Sequence, residues 1–127
     1  MSDADRLPAD AFQESWGIQV NASALGFDWA HVSPVMDKVR EELDEIQAAL
    51  DRGDADLAKR ELGDLLFSAV NLARFLDANP SEELCRANRR FRDRFDRLAA
   101  AVRKTGRVMG ECTLDELDEV WERIKAS

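Results

Sequence analysis

Tyrosine is absent from this chain, histidine occurs once, and only two cysteines and three prolines are found among 127 residues. Cys85 and Cys112 lie far apart, with no CxxC spacing. That argues against a disulfide framework or a zinc site, and predicts free, buried thiols in a reducing cytoplasm. The lone histidine, His31, falls in a loop outside any Glu-x-x-His spacing, which disfavours a carboxylate-bridged di-iron bundle. Nothing around it resembles a Ser/His/Asp or Cys/His nucleophile system. Long apolar runs are missing too: the longest, Leu65-Leu66-Phe67 extended past Ser68 by Ala69-Val70, is far short of the ~20 residues of a membrane helix. The acidic start Met1-Ser2-Asp3-Ala4-Asp5 lacks the basic-then-apolar order of a signal peptide. Basic charge is in deficit, with 18 Lys and Arg against 26 Asp and Glu for a net charge of −8, so no general nucleic-acid binding is expected.

What is present is a chain of 45% hydrophobic and 35% charged residues, long enough for one domain with a real core. Val, Ile and Thr are too sparse and the apolar spacing too helical for a strand-rich fold. A weakly amphipathic segment over Pro8–Ala24, with Phe12, Trp16 and Val20 at four-residue steps, precedes the loop Gly26-Phe27-Asp28-Trp29. Ser33-Pro34 reads as a cap and first-turn proline for a helix to about Asp51, striped by Val35, Val39, Leu43, Ile46 and Leu50. The turn Arg52-Gly53-Asp54 is short enough to make the next helix, Ala55–Ala78, an antiparallel neighbour. Asn79-Pro80-Ser81-Glu82 opens a fourth helix to about Lys104, cored by Phe91, Phe95, Leu98 and Val102. Gly106 and Gly110 interrupt the chain before a capping box at Thr113-Leu114-Asp115-Glu116 starts a final helix. The expected fold is an all-α antiparallel bundle.

The second helix carries Glu41, Glu42 and Glu45, and the third carries Glu61 and Asp64. Residues three apart share a helix face, so Glu42/Glu45 and Glu61/Asp64 each form a two-carboxylate claw. Glu42 stands eleven residues before Gly53 and Asp64 eleven after it, which brings them to similar height in the hairpin. Both claws flank apolar positions, where carboxylates repel one another and desolvation drives them towards protonation. Divalent cations relieve that conflict, and an all-oxygen set suits Mg²⁺ or Mn²⁺. An ordinary solvated acidic face has the same spacing, and spacing alone leaves both readings open.

The fourth helix reverses the charge. Arg90, Arg94 and Arg97 step by four and three along one flank, where guanidinium groups could grip phosphate oxygens or simply pair with surface carboxylates. Lys38, one turn before Glu42, places a cation beside the first claw. Trp121 is either a stacking platform for a base or a core side chain, and Trp16 and Trp29 read as packing anchors.

With those residues placed, the chain resembles the MazG family of nucleoside triphosphate pyrophosphohydrolases from about Gly26 onwards. The matching segments are Gly26-Phe27-Asp28-Trp29, Lys38 to Glu45, Glu61-Leu62-Gly63-Asp64-Leu65-Leu66-Phe67, Val70-Asn71-Leu72-Ala73-Arg74, Ala87-Asn88 through Arg94-Phe95, and Val120-Trp121. The resemblance divides the chain into an N-terminal segment, 1–25, and a MazG-like domain, 26–127. It is to the C-terminal copy of the two tandem domains that well-known members carry. It implies Glu42, Glu45, Glu61 and Asp64 as Mg²⁺ ligands, with Lys38, Arg90, Arg94 and Trp121 contacting the nucleotide. It also implies cleavage between the α- and β-phosphates, releasing a nucleoside monophosphate and pyrophosphate, and a homodimer or larger assembly. At Arg90 the family often has lysine, with an acidic residue where Arg89 stands. Glu41, beside the claw, is a candidate base, or an exposed partner on the face of Arg40 and Asp37. A dedicated substrate such as phosphoribosyl-ATP or a single deoxynucleotide, and a non-catalytic helical nucleotide-binding or dimerisation module, are the alternatives.

Overall fold

A computed structural model of the chain describes residues 10–127. The acidic run at 1–5 and the helix start expected at Pro8 lie outside the described residues. Helix α1 spans Ala11–Ala24 and is capped by Asp10, whose carboxylate accepts the Gln13 amide at 3.1 Å. Helix α2, Val32–Asp51, starts ahead of the expected cap Ser33. Its N-cap is His31, extended at φ −161° and making no side-chain cap bond. Pro34 thus falls inside the first turn, where backbone N–H groups have no intrahelical partner to lose.

The α2–α3 turn follows its local chemistry. Gly53 sits at φ +70°, its amide donates to the Leu50 carbonyl at 3.0 Å, and the Asp54 carboxylate accepts the Leu57 amide at 3.1 Å to cap α3. Helix α3, Ala55–Phe75, ends short of the expected Ala78 because Asp77 turns the chain at φ +52°. Asn79 then caps α4, Pro80–Lys104, accepting the Ser81 and Glu82 amides at 3.0 and 3.1 Å. A 3₁₀ turn, Met109–Glu111, leads to α5, Leu114–Ala126, whose Thr113/Glu116 capping box is complete in both directions. The described residues form an all-α fold with no strand. None of their helices is long and apolar enough to cross a membrane.

The chain divides into two compact units after Glu82. In the first, α2 and α3 pack along one another as a hairpin and α1 lies on α3, with Val35, Ala49 and Val70 buried. In the second, Leu98 and Val102 are buried, and Phe91 stacks on Phe95 at 6.1 Å and leans on Trp121 at 5.3 Å. Arg107 there bridges Glu116, at 2.7 Å, and the Glu111 carbonyl, at 2.8 Å. That guanidinium, helped by the Thr113 amide, pulls the Glu116 carboxyl down to about 2.

Periodicity marks which positions share a face but not what covers them. Leu43 and Leu50, expected in the α2 core stripe, are more than half exposed, as is Phe91 on α4. Cys85, expected buried, is exposed, whereas Cys112 is partly covered; both are free thiols.

A Cβ added at Gly53 would meet no atom within 4 Å, so only its left-handed backbone resists substitution. Gly53→Ala should therefore cost about 1 kcal/mol in denaturant unfolding. A neutral result would show that the turn relaxes freely.

Candidate functional site

The α2–α3 hairpin brings carboxylates from both helices to one place. Oxygens of Glu42, Glu45 and Glu61 lie within 4.8 Å of one another. Glu45 stands eight residues before Gly53 and Glu61 eight after it, so the hairpin register joins this pair and recruits Glu42 from one turn further back. Glu42 is only 3% exposed. Its Oε1 accepts from Lys38 Nζ at 3.2 Å, while Oε2 is buried with no hydrogen-bond partner. Glu61 Oε2 is buried and unpartnered as well. Orphaned buried carboxylate oxygens are costly unless a proton or a cation satisfies them. Hydrogen bonding to Glu45, then burial, then Glu42 push the Glu61 carboxyl up to about 7, which favours its protonated form. The all-oxygen donor set also fits a hard divalent cation.

Lys38 links this cluster to a cavity. Its ammonium also reaches Glu41, exposed, at 3.4 Å, and its side chain lines a cavity of about 560 Å³ with Phe27, Asp28, Trp29, Phe67 and Asn71. The volume is that of a small-molecule site. Trp29 departs from the expected packing anchor: it is 42% exposed and lines the cavity wall. Asp28 is gripped by both terminal nitrogens of Arg74, at 3.0 and 2.9 Å, which holds its carboxyl well below the usual carboxylate range.

Known proteins share these segments. Residues 31–93 match the model of the MazG nucleotide pyrophosphohydrolase domain, a stretch that holds Lys38 and all three clustered glutamates. The nucleoside triphosphate pyrophosphohydrolase/pyrophosphatase MazG of Thermotoga maritima is 44% identical over 108 residues, 85% of this chain and 41% of that protein. The chain belongs to the MazG family. The nucleoside triphosphate pyrophosphohydrolase of Escherichia coli is 38% identical over 117 residues, 91% of this chain and 44% of its own. The Bacillus subtilis protein YabN, uncharacterised, is 36% identical over 67 residues, 53% of this chain and 14% of that one. The chain thus spans about two fifths of the length of the first two relatives.

Within this MazG chain the remaining expected site residues are distributed as follows. Asp64 lies one turn beyond Glu61 on α3, exposed and outside the three-glutamate group. Arg90, Arg94 and Trp121 belong to the second unit, where Trp121 leans on Phe91. Arg97 pairs with Asp93 at 3.2 Å, whereas Arg90 and Arg94 have no ion-pair partner among the described residues. Sequence reasoning missed Gln19, Asp28 and Arg74. The Gly-Phe-Asp-Trp loop and the Val-Asn-Leu-Ala-Arg segment carried the family resemblance, but nothing in the sequence showed that Asp28 and Arg74, 46 residues apart, meet.

The titration of Glu61 sets a stability trend. With its folded value raised from 4.5 to about 7, it favours the folded state fully below pH 4.5 and loses that contribution as pH rises to 7. In EDTA the thermal midpoint should fall over that window, and Glu61→Gln should flatten the fall. An equal slope in the variant would contradict this.

Proposed function

We propose that this chain hydrolyses nucleoside triphosphates to nucleoside monophosphate and pyrophosphate, cleaving between the α- and β-phosphates. Glu42, Glu45, Glu61 and Asp64 would hold Mg²⁺, with Mn²⁺ as a substitute. The supporting observation is the pair of buried, unpartnered oxygens of Glu42 and Glu61, set beside Lys38 and an aromatic-walled cavity. A divalent cation bound there supplies charge neutralisation for the triphosphate and activation of a water. The two MazG relatives named for this activity add their weight.

The chain's own groups do the rest. Lys38, between cluster and cavity, would hold a phosphate oxygen and stabilise charge building on it. The nucleoside would enter the cavity against Phe27, Trp29 and Phe67. Arg90, Arg94 and Trp121 are further nucleotide contacts on the resemblance. Glu41, exposed and tethered to Lys38, is the candidate base for the attacking water. Leu43 and Leu50 on α2, with Leu62 and Leu66 on α3, leave exposed apolar surface suited to a second copy, and we attach a homodimer to this reading. We attach a cytoplasmic location to this reading, which free thiols and a triphosphate substrate suit.

Incubation with a panel of ribo- and deoxynucleoside triphosphates plus Mg²⁺ should release monophosphate and pyrophosphate together, and EDTA should abolish both. Glu42→Gln should lower kcat by at least about 100-fold, the upper end of what even an outer-shell partner costs. Release of orthophosphate and diphosphate instead, or near-normal turnover in the variant, would overturn the reading.

A further inference from the structure

Helix α1 and the loop behind it lie ahead of the matched residues 31–93, yet both reach the cavity. We propose that Gln19 is a positioning residue for nucleotide binding: acting through Arg74 and Asp28, it fixes the Phe27–Trp29 wall of the cavity. This rests on the hydrolase reading above and adds a determinant of affinity and base discrimination to it.

Gln19 is a polar side chain only 4% exposed, and its amide is bonded at both ends. Nε2 donates to Ser15 Oγ and to the Phe67 carbonyl, each at 3.1 Å, while Oε1 accepts from Arg74 Nε at 3.0 Å. A flipped amide would set donor against donor at Arg74, so only one orientation satisfies the group. A guanidinium is planar, and holding its Nε edge aims its fork. That fork takes Asp28 with both nitrogens, and Nη2 also donates to Asn71 Oδ1 at 2.7 Å. Asp28 Oδ1 in turn accepts the Trp29 amide at 2.8 Å.

The clasp matters because the helix-ending bonds, Gly26 amide to the Ser23 carbonyl and Phe27 amide to the Ala22 carbonyl, each at 2.9 Å, hold the chain only as far as Phe27. Residues 25–31 join α1 to α2 without regular structure, and Phe27 is 82% exposed. Packing holds the Phe27 ring weakly, and beyond Phe27 the polar chain Gln19–Arg74–Asp28 ties the loop to α1 and α3. Removing Gln19 would leave Arg74 Nε unpaired and the Phe67 carbonyl without its side-chain donor. The pocket wall would then sample more conformations, and binding would lose preorganisation. The glutamates on the hairpin are untouched, so the chemical step should be spared.

The test measures kcat, KM and thermal midpoint for the full chain, Gln19→Leu, Arg74→Lys and the double variant. It adds the Kd of each for an α,β-methylene triphosphate analogue. Gln19→Leu should raise KM and Kd about tenfold, as one unpaired buried donor does, with kcat within about twofold and less discrimination among bases. Arg74→Lys should act alike, and the double variant should be no worse than either single change. Gln19→Glu keeps an acceptor towards Arg74 but sets a second one against the Phe67 carbonyl, so it should raise KM less than Gln19→Leu does. A lowered thermal midpoint with unchanged KM and Kd, or effects that multiply in the double variant, would overturn the proposal. Should the original chain bind the analogue but hydrolyse nothing, the hydrolase reading fails alone, and the Kd comparison still decides the role of Gln19. Should it bind no analogue, both fail.

Discussion

Mutual repulsion among glutamates from two helices is the constraint on which the site depends. Like charges within 4.8 Å at the edge of a core raise the free energy of the folded hairpin, and burial adds a desolvation cost. Two partial remedies belong to the chain itself: Lys38 neutralises one oxygen of Glu42, and Glu61 holds a proton more readily than an ordinary carboxyl. Neither satisfies the buried Oε2 atoms of Glu42 and Glu61. A divalent cation held by these carboxylates would compete with protons for them, so its binding would release protons and stabilise the fold together. Nothing about α2 and α3 as isolated helices requires this; it follows from how the Gly53 turn sets their register.

The first unit divides its labour between rigid and adaptable parts. The carboxylates sit on regular helices whose packing fixes their spacing, as a cation with few tolerated geometries demands. The cavity wall is a seven-residue connection, 25–31, with exposed rings and a polar clasp. On the proposed reading, recognition on such a segment would adapt by loop chemistry without disturbing the carboxylates. Lys38 belongs to both parts, and through it a phosphate chain would run from nucleoside to cluster.

Much of this was legible in the sequence because the signals were local. The five helices, the Asp54 and Asn79 caps and the Thr113/Glu116 box all rest on contacts within a few residues. The hairpin's register was legible less sharply: counting from Gly53 matched Glu42 to Asp64, whereas the structure gathers Glu42 and Glu45 about Glu61 and leaves Asp64 exposed. Side-chain length and helix rotation decide which carboxylates meet, and a count along the chain carries neither. The Ser33 cap failed because His31, without a capping bond, begins the helix and leaves Pro34 inside its first turn. The clasp of Gln19, Asp28 and Arg74 was out of reach, since its partners are 46 to 55 residues apart and no spacing rule pairs them, although two of the three lie in segments that carry the resemblance. The reading of Trp29 as a packing anchor failed because tryptophan's usual burial says nothing of a ring held on a cavity wall.

The central claim, that the hairpin's glutamates hold a divalent cation, is tested most directly by titrating the metal-free chain with Mn²⁺ and following free Mn²⁺ by electron paramagnetic resonance. The account predicts saturable binding that Mg²⁺ displaces, that weakens as pH falls below 7, and that Glu42→Ala or Glu61→Ala abolishes. Saturable binding left intact by both substitutions, or no binding at all in the original chain, would contradict it.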